Sequence, residues 1–224
     1  VDNNLMLLNY SSAVVWYDNE RLVFDNTGKI ELINVVDGKK VLLSEGSHPK
    51  ISPNREWIVF IGKDGNENQF WLVKIDGSEK RQLSHFKGVL AGEYGYNYNM
   101  VWSPDSTQLA FYSNPVNPLD LSDIPEPLPP SFVQIMDVKT GSVKQVYTDT
   151  GLIGDLSWYP DGKKLLMTML RIGLFLKIDK NISTIQSVNL IDGVVSVLKE
   201  FKGLQQGLQP KLSPDGHEVS FLYN

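Results

Sequence analysis

The residues that could carry catalysis are few and scattered along this chain. Its three histidines, His48, His85 and His217, lie far apart in sequence, and it contains no cysteine. A histidine metal cluster would need at least two of them to converge, and a thiolate site or a cysteine nucleophile is excluded. The sequence also lacks a Gly-x-Ser-x-Gly turn, a His-Glu-x-x-His motif and a Walker phosphate loop. We therefore predict a non-catalytic protein without a metal or a cofactor.

One short stretch resembles the beginning of a calcium loop. Residues 64–68, DGNEN, have the oxygen-ligand spacing of such a loop, but they lack its distal glutamate. Asp-Gly is also an ordinary hairpin turn. We expect the hairpin.

A tyrosine-rich stretch, residues 92–99, is the segment most typical of a binding site. Its candidate contact residues are Glu93, Tyr94, Tyr96, Tyr98 and Asn99. Tyrosine offers a large contact area at low entropic cost together with a polar tip, which suits recognition. The alternative interpretation is that these tyrosines are strand residues that pack against the edge of a sheet.

The elements that would position such residues come from an internal repeat. The clearest copy is VWSPDSTQLAFYS, residues 101–113, which predicts a strand, a tight Ser-Pro-Asp turn and a second strand. Related copies contain Ser52-Pro53-Asn54, Tyr159-Pro160-Asp161 and Ser213-Pro214-Asp215, and a degenerate copy contains Trp16-Tyr17-Asp18-Asn19. A later alternating segment in most units ends in a hairpin turn such as Asp37-Gly38 or Asp76-Gly77. Each complete unit is therefore four antiparallel strands, named a, b, c and d.

Four-stranded units in tandem predict an all-β fold, a β-propeller of about five four-stranded antiparallel blades. The units start near residues 11, 48, 98, 154 and 208, and residues 1–224 form a single propeller domain. The last unit has room only for strands a and b. We expect residues 3–9 to complete that blade by pairing with the C-terminal strand, residues 219–223, so that the ring is closed by its N- and C-terminal strands.

Strand direction sorts the connections onto two opposite edges of each sheet. The a–b and c–d turns share one edge and are short, whereas the b–c and d–a connections share the other. All three long insertions, residues 85–99, 114–131 and 170–184, belong to the second class. We predict that this edge carries the binding face. The alternative to a binding face is that insertions simply accumulate wherever they are tolerated. The strand assignment of the fourth unit also has an alternative, in which Leu174–Ile178 forms strand c.

Three more candidate binding residues lie near the start of a strand a. His48 opens the second unit and could reach the mouth of the channel around which the blades are arranged. Asp155 and Gln209 lie near the starts of the fourth and fifth units. A satisfied polar residue is the simpler interpretation of a lone histidine in such a place.

Bulk composition excludes two classes of partner. The net charge of −5 gives no electrostatic footprint for nucleic acid, and no run of 18 apolar residues is present that could span a membrane. The chain starts at Val1 without a signal-peptide pattern. The absence of cysteine fits both a reducing compartment and a bacterial envelope protein without disulfides.

The repeat resembles the TolB-type, WD40-like propeller repeat. The copies at Trp102-Ser103-Pro104-Asp105 and Leu212-Ser213-Pro214-Asp215-Gly216 carry the resemblance, which covers nearly the whole chain. It implies a binding scaffold of the bacterial periplasm or cell envelope whose partner is a protein or peptide, with a glycan as the alternative. Similar repeats form the propellers of dipeptidyl-peptidase and prolyl-oligopeptidase relatives, where a glutamate placed like Glu93 holds the substrate amine. The alternative function is therefore the propeller part of a serine peptidase, or a propeller lyase.

Overall fold

The described residues of this chain form β-strands and no helix. The computed structural model describes residues 13–86, 100–113, 130–171, 181–202 and 208–222. The first sheet contains β1 (Val14–Trp16), β2 (Arg21–Asn26), β3 (Lys29–Asn34) and β4 (Lys40–Glu45). The second contains β5 (Ser47–Ile51), β6 (Trp57–Asp64), β7 (Glu67–Lys74) and β8 (Lys80–Gln82).

Three further sheets follow in chain order. The third contains β9 (Val101–Trp102), β10 (Gln108–Ser113), β11 (Ser131–Asp137) and β12 (Val143–Asp149). The fourth contains β13 (Leu152–Trp158), β14 (Lys164–Arg171), β15 (Ile182–Asn189) and β16 (Val195–Lys202). The fifth contains β17 (Lys211–Leu212) and β18 (Val219–Ser220). Neighbouring strands pair antiparallel throughout, so the predicted all-β class and the repeating a–b–c–d unit are confirmed.

Side-chain hydrogen bonds explain why the a–b turns recur. The Ser103 hydroxyl donates to Asp105 Oδ1 over 2.6 Å and accepts the Gln108 N–H over 2.9 Å. Pro104 favours the φ of the second position in such a turn. Ser213 and Asp215 repeat the first bond at 2.5 Å, so the tripeptide closes the hairpin from within in widely separated units.

The chain divides into two compact units, residues 1–87 and 88–224. In the first unit, β5 lies against β1 and β2. The facing core residues are Val23, Ile30 and Leu43 of the first sheet and Ile58, Phe60 and Val73 of the second. All six are buried, so the first two sheets are held together face to face by apolar packing.

The second compact unit has the same construction. Ala110, Val133 and Ile135 of the third sheet pack against Ile153, Leu165 and Met167 of the fourth. The opposite face of the fourth sheet packs Leu166 and Ile185 against Leu208, ahead of the fifth sheet. A sheet with two buried faces requires apolar residues at successive positions, which accounts for the run LLM in β14.

Several sequence predictions can be compared with these strands. The sheets begin at residues 14, 47, 101, 152 and 211, close to the predicted starts. Strand c of the fourth unit is Ile182–Asn189, which pairs along the whole of β14, so the alternative that assigned it to residues 174–178 is wrong. Residues 64–68 form the expected hairpin, in which Asp64 pairs with Glu67. The proposed closing strand, residues 3–9, lies outside the described residues, and the five described sheets remain separate.

Candidate functional site

Antiparallel pairing places the b–c and d–a connections at one edge of each sheet, which we call the loop edge. In the third sheet, β10 ends at Ser113 and β11 resumes at Ser131 on this edge. In the fourth sheet, Arg171 pairs with Ile182 at this edge, on either side of the long connection between β14 and β15. Val101, which pairs with Ala110, begins β9 at the same edge of the third sheet. The insertion ends that belong to the 88–224 unit, both ends of two insertions and the last residues of the third, therefore lie at the loop edge of its sheets.

The tyrosine-rich candidates themselves, Glu93, Tyr94, Tyr96, Tyr98 and Asn99, lie outside the described residues. The structure shows how the chain enters that segment. The buried amide of Gln69 accepts the Phe86 N–H over 2.8 Å and donates to the Phe86 carbonyl over 2.7 Å. The Ser84 hydroxyl donates to the same amide over 2.7 Å, and the Phe86 ring packs edge-on against Phe70. The second sheet thus fixes the point from which the insertion departs.

His48 uses its backbone to join the first two sheets. Its N–H donates to Asp25 Oδ2 over 2.8 Å, and its φ of 55° lies in the left-handed region. The imidazole is half-buried, and Nδ1 lies 3.1 Å from the Ser47 hydroxyl. Burial lowers the pKa of His48, and neighbouring Lys50 lowers it further, although the Asp25 carboxylate opposes both. A neutral imidazole at this position is a satisfied polar group that could also contact a ligand.

Asp155 and Gln209, two of the predicted residues, meet each other in the structure. The Gln209 N–H donates to Asp155 Oδ2 over 3.2 Å, and Gln209 has a φ of 42°. The Asp155 N–H donates to the Thr168 hydroxyl over 2.8 Å. A carboxylate on the fourth sheet therefore holds the backbone that leads into the fifth, as Asp25 does between the first and second sheets.

Sequence reasoning missed Asp25, the most buried carboxylate of this kind. It lies at the loop end of β2, is 3% exposed, and also accepts the Ala13 N–H over 3.1 Å. A buried charge in a native protein requires partners, and here the N–H groups of Ala13, just before β1, and of His48, in β5, supply them. The signal in the sequence was an aspartate after the apolar triplet Leu22-Val23-Phe24, where a strand would otherwise continue to bury apolar residues.

A second polar cluster joins the third and fourth sheets at the loop edge. The Arg171 guanidinium lies 2.5 Å from Asp149 Oδ2, and the Tyr147 hydroxyl donates to the same carboxylate over 3.0 Å. Burial, the largest single influence, raises the pKa of Asp149. The Arg171 guanidinium, the Gly151 N–H and the Tyr147 hydroxyl together outweigh it and leave that pKa below its ordinary value. Burial and the adjacent Asp149 charge raise the pKa of Tyr147. The members of the cluster bond to one another, so it positions Arg171, where the connection after β14 starts.

A pocket of about 520 Å³ opens at the loop edge between the first and second sheets. The two connections Thr27-Gly28 and Glu45-Gly46-Ser47 form one side, and the loop end of β6 forms the other. Its size falls within the range of small-ligand sites. No sequence signal predicted it, because its walls come from six strands, β3 to β8, and from the two turns at Thr27-Gly28 and Gly46.

The Trp71 indole forms an aromatic wall of this pocket. A Cβ on Gly62 would lie 2.7 Å from Trp71 Cδ1 and 2.9 Å from Nε1, so only glycine leaves room for this ring orientation. The indole N–H is buried and has no hydrogen-bond partner among the described residues. A buried donor without an acceptor costs roughly 1–3 kcal/mol. The Lys80 ammonium lies 5.0 Å from the centre of the indole, within cation–π distance.

Within the described ranges, no three His, Cys, Asp or Glu side chains converge in a way that could hold a metal ion. The described part of the chain likewise offers no helix that is long and apolar enough to cross a membrane.

The fold defines the class of protein, and structures of known proteins agree with it. TolB from Acinetobacter baumannii is 15% identical, with a TM-score of 0.60, over 93% of this chain and 47% of that one. Oligogalacturonate lyase from Vibrio parahaemolyticus is 19% identical, with a TM-score of 0.63, over 91% of this chain and 55% of the lyase. Acylaminoacyl peptidase from Pyrococcus horikoshii is 16% identical, with a TM-score of 0.60, over 86% of this chain and 32% of the peptidase.

These neighbours confirm the predicted relation to TolB-type and peptidase propellers and show that the chain has a propeller fold. The chain spans about half the length of the TolB and lyase structures. No protein-family model and no curated sequence matches it. Because TolB, a lyase and a peptidase share this fold, the fold alone does not choose among their functions.

Proposed function

We propose that this chain is a non-catalytic, TolB-like propeller scaffold that recognises a protein or peptide partner at its loop edge. One observation carries the proposal, namely that the long connections leave the 88–224 unit at the same edge of its sheets. Long segments on a rigid sheet are the usual carriers of recognition. A TolB-like role would place the protein in the periplasm or cell envelope, and a glycan is the alternative ligand.

The loop-edge proposal is supported by the way the structure holds the segment ends. Gln69 fixes the Phe86 end of the tyrosine-rich insertion, and Asp149 with Arg171 fixes the start of the connection after β14. A recognition loop with anchored ends loses less conformational entropy when it binds than one with free ends. The candidate contact residues remain Glu93, Tyr94, Tyr96, Tyr98 and Asn99, together with His48, Asp155 and Gln209.

The test is partner capture by a variant in which Tyr94, Tyr96 and Tyr98 are changed to alanine. We expect the wild-type chain to retain a partner from an extract of its source and the triple variant to lose it. The matched control is Trp16→Ala, which removes an aromatic side chain that is 61% exposed at the end of β1, beside the a–b turn on the opposite edge. Equal capture by the wild type and the triple variant would reject the insertion as the binding site.

The second candidate is the catalytic class suggested by the lyase and peptidase neighbours. Oligogalacturonate lyase and acylaminoacyl peptidase have the same fold, although the chain covers only 55% and 32% of their lengths. Incubation with oligogalacturonate, with and without a divalent cation, and with a blocked amino-acid ester tests both activities. If the chain still turns over either substrate after purification to homogeneity, a catalytic function would replace the binding-scaffold proposal.

A further inference from the structure

The pocket between the first two sheets carries an excess of positive charge that the rest of the chain does not share. Three lysines, Lys29, Lys63 and Lys80, line it together with one carboxylate, Glu45. Over the whole chain, 26 acidic residues outnumber 21 basic ones. None of these lysines forms a salt bridge with a described residue, whereas Lys39 and Lys74 on the other edge both do. Three lysines against one carboxylate, which pairs with Lys29 across β3 and β4, leave the described lining of the pocket with a net positive charge.

An aromatic surface accompanies these cations. The Lys80 ammonium lies 5.0 Å from the centre of the Trp71 indole and 5.7 Å from the centre of the Phe60 ring. Lys80 pairs with Val73 in the sheet, so its side chain lies on the same face as Trp71, towards the first sheet. An ammonium held over an aromatic face retains its charge for an anion, while the ring offers apolar area to the body of the same ligand.

Two glycines allow the aromatic residues to pack closely against the backbone at the pocket. A Cβ on Gly46 would lie 2.5 Å from the Phe60 ring and 2.6 Å from the Ile61 carbonyl oxygen, and Gly62 makes room for Trp71 as described above. Gly46 also has a φ of 147°, which side chains rarely adopt. Glycine at both positions therefore lets the Phe60 and Trp71 rings lie directly against the backbone that lines the pocket.

We infer that this pocket is a binding site for a small organic anion, a carboxylate on a ring-shaped body of about monosaccharide size. The lysines supply charge to the carboxylate, and Trp71 supplies a flat surface for the ring. The volume of about 520 Å³ accommodates one or two such rings. This site lies beyond the proposed partner-binding function and does not depend on it, because all its walls belong to the 1–87 unit.

The two sources of such a ligand are a sugar acid and an aromatic acid, and matched probes separate them. We suggest titrating the full chain with D-glucuronate against neutral D-glucose, and with benzoate against neutral benzamide. Binding is measured by calorimetry and by the NMR resonance of the Trp71 indole N–H, assigned with Trp71→Phe. We expect saturable binding of one acid and none of its neutral analogue, weakened by added salt.

Removing a positive charge and removing a negative charge from the pocket should change its affinity for the acid in opposite directions. Lys80→Gln should weaken binding of the acid about fivefold, the upper end for one exposed ion pair, and Glu45→Gln should strengthen it. Lys163→Gln, an exposed lysine in the a–b turn of the fourth sheet, removes the same charge elsewhere and should leave the affinity unchanged. Binding of neither acid, equal binding of the neutral analogues, or equal losses in Lys80→Gln and Lys163→Gln would overturn the inference. Loss of partner capture in the triple tyrosine variant would bear only on the loop-edge proposal.

Discussion

Single carboxylates define much of the local geometry of this protein. In the third sheet, Asp105 Oδ1 accepts the hydroxyls of Ser103 and Thr107 over 2.6 and 2.8 Å and the Thr107 N–H over 3.1 Å. These bonds, led by that from Ser103, hold the pKa of Asp105 below its ordinary value of 3.8. An ionised Asp105 is therefore part of the folded turn.

Replacement of Asp105 by alanine should lower the free energy of unfolding by about 1–2 kcal/mol at pH 7. Because the folded pKa is depressed, this stabilisation is present above the unfolded pKa and is lost as the pH falls through the folded value. The difference between wild type and variant, measured by urea denaturation, should shrink below about pH 4. A difference that stays constant down to pH 2.5, roughly one unit below the ordinary aspartate value, would contradict this account.

Asp25 and Asp155 allow a matched comparison of buried and accessible carboxylates. Asp25 is 3% exposed and accepts N–H groups from Ala13 and His48, whereas partly exposed Asp155 accepts one from Gln209. We expect Asp25→Ala to reduce stability by roughly 3 kcal/mol, because two bonds to a charged group are lost in a buried place. Asp155→Ala should cost about 1 kcal/mol. Equal losses of stability for the two variants in urea denaturation would show that burial does not determine how much Asp25 contributes to the free energy of unfolding.

At the scale of elements, the second sheet determines where the tyrosine-rich insertion begins. The Gln69 amide, which is 3% exposed, forms hydrogen bonds with both backbone groups of Phe86 and with the Ser84 hydroxyl. These contacts join β7 to a segment just beyond β8. The chain therefore leaves the second sheet at Phe86 from an anchored point.

Gln69→Leu should release that anchor, because leucine fills a similar volume and forms none of these three hydrogen bonds. We expect faster proteolytic cleavage within residues 87–99 and a loss of stability of about 1–2 kcal/mol. Gln145→Leu, on the exposed face of β12, is the control and should change neither quantity. Unchanged cleavage sites and rates in Gln69→Leu would show that Phe86 is held mainly by its ring contact with Phe70, whose centre lies 5.5 Å away.

At the scale of the whole molecule, closure of the propeller remains a prediction. Residues 3–9 are the proposed partner of residues 219–223, and the fifth described sheet contains only β17 and β18. The Leu222 N–H donates to the Leu208 carbonyl over 2.8 Å, so the segment after β18 is already aligned beside the start of its own unit. A further strand on this two-stranded sheet would bury apolar surface such as Leu222, which is 58% exposed.

Deletion of residues 1–9 should therefore lower the melting temperature by about 5 °C or more, as expected when a strand that completes a sheet is lost. Deletion of residues 1–2 alone is the control and should leave the melting temperature unchanged. Thermal unfolding followed by circular dichroism measures both. Equal melting temperatures for the wild type and the nine-residue deletion would show that the N-terminal segment does not complete a blade.

The sequence by itself determined the repeated four-stranded unit, the Ser-Pro-Asp and Asp-Gly turns and the edge from which each insertion departs. These features depend on local turn chemistry and on the alternation of strand direction, both of which are written in short windows of residues. The sequence also suggested Asp155 and Gln209 as candidate binding residues, although it could not show that they form a hydrogen bond with each other.

Only the tertiary structure decided which carboxylates join neighbouring sheets and where a pocket opens. The contact between Asp25 and His48 spans 23 positions, and the pocket brings Lys29 close to Trp71 and Lys80. Such contacts depend on how two sheets pack face to face, and the order of residues within either sheet does not specify that packing. The charged, aromatic pocket of the 1–87 unit is therefore a property of sheet packing and not of any motif in the sequence.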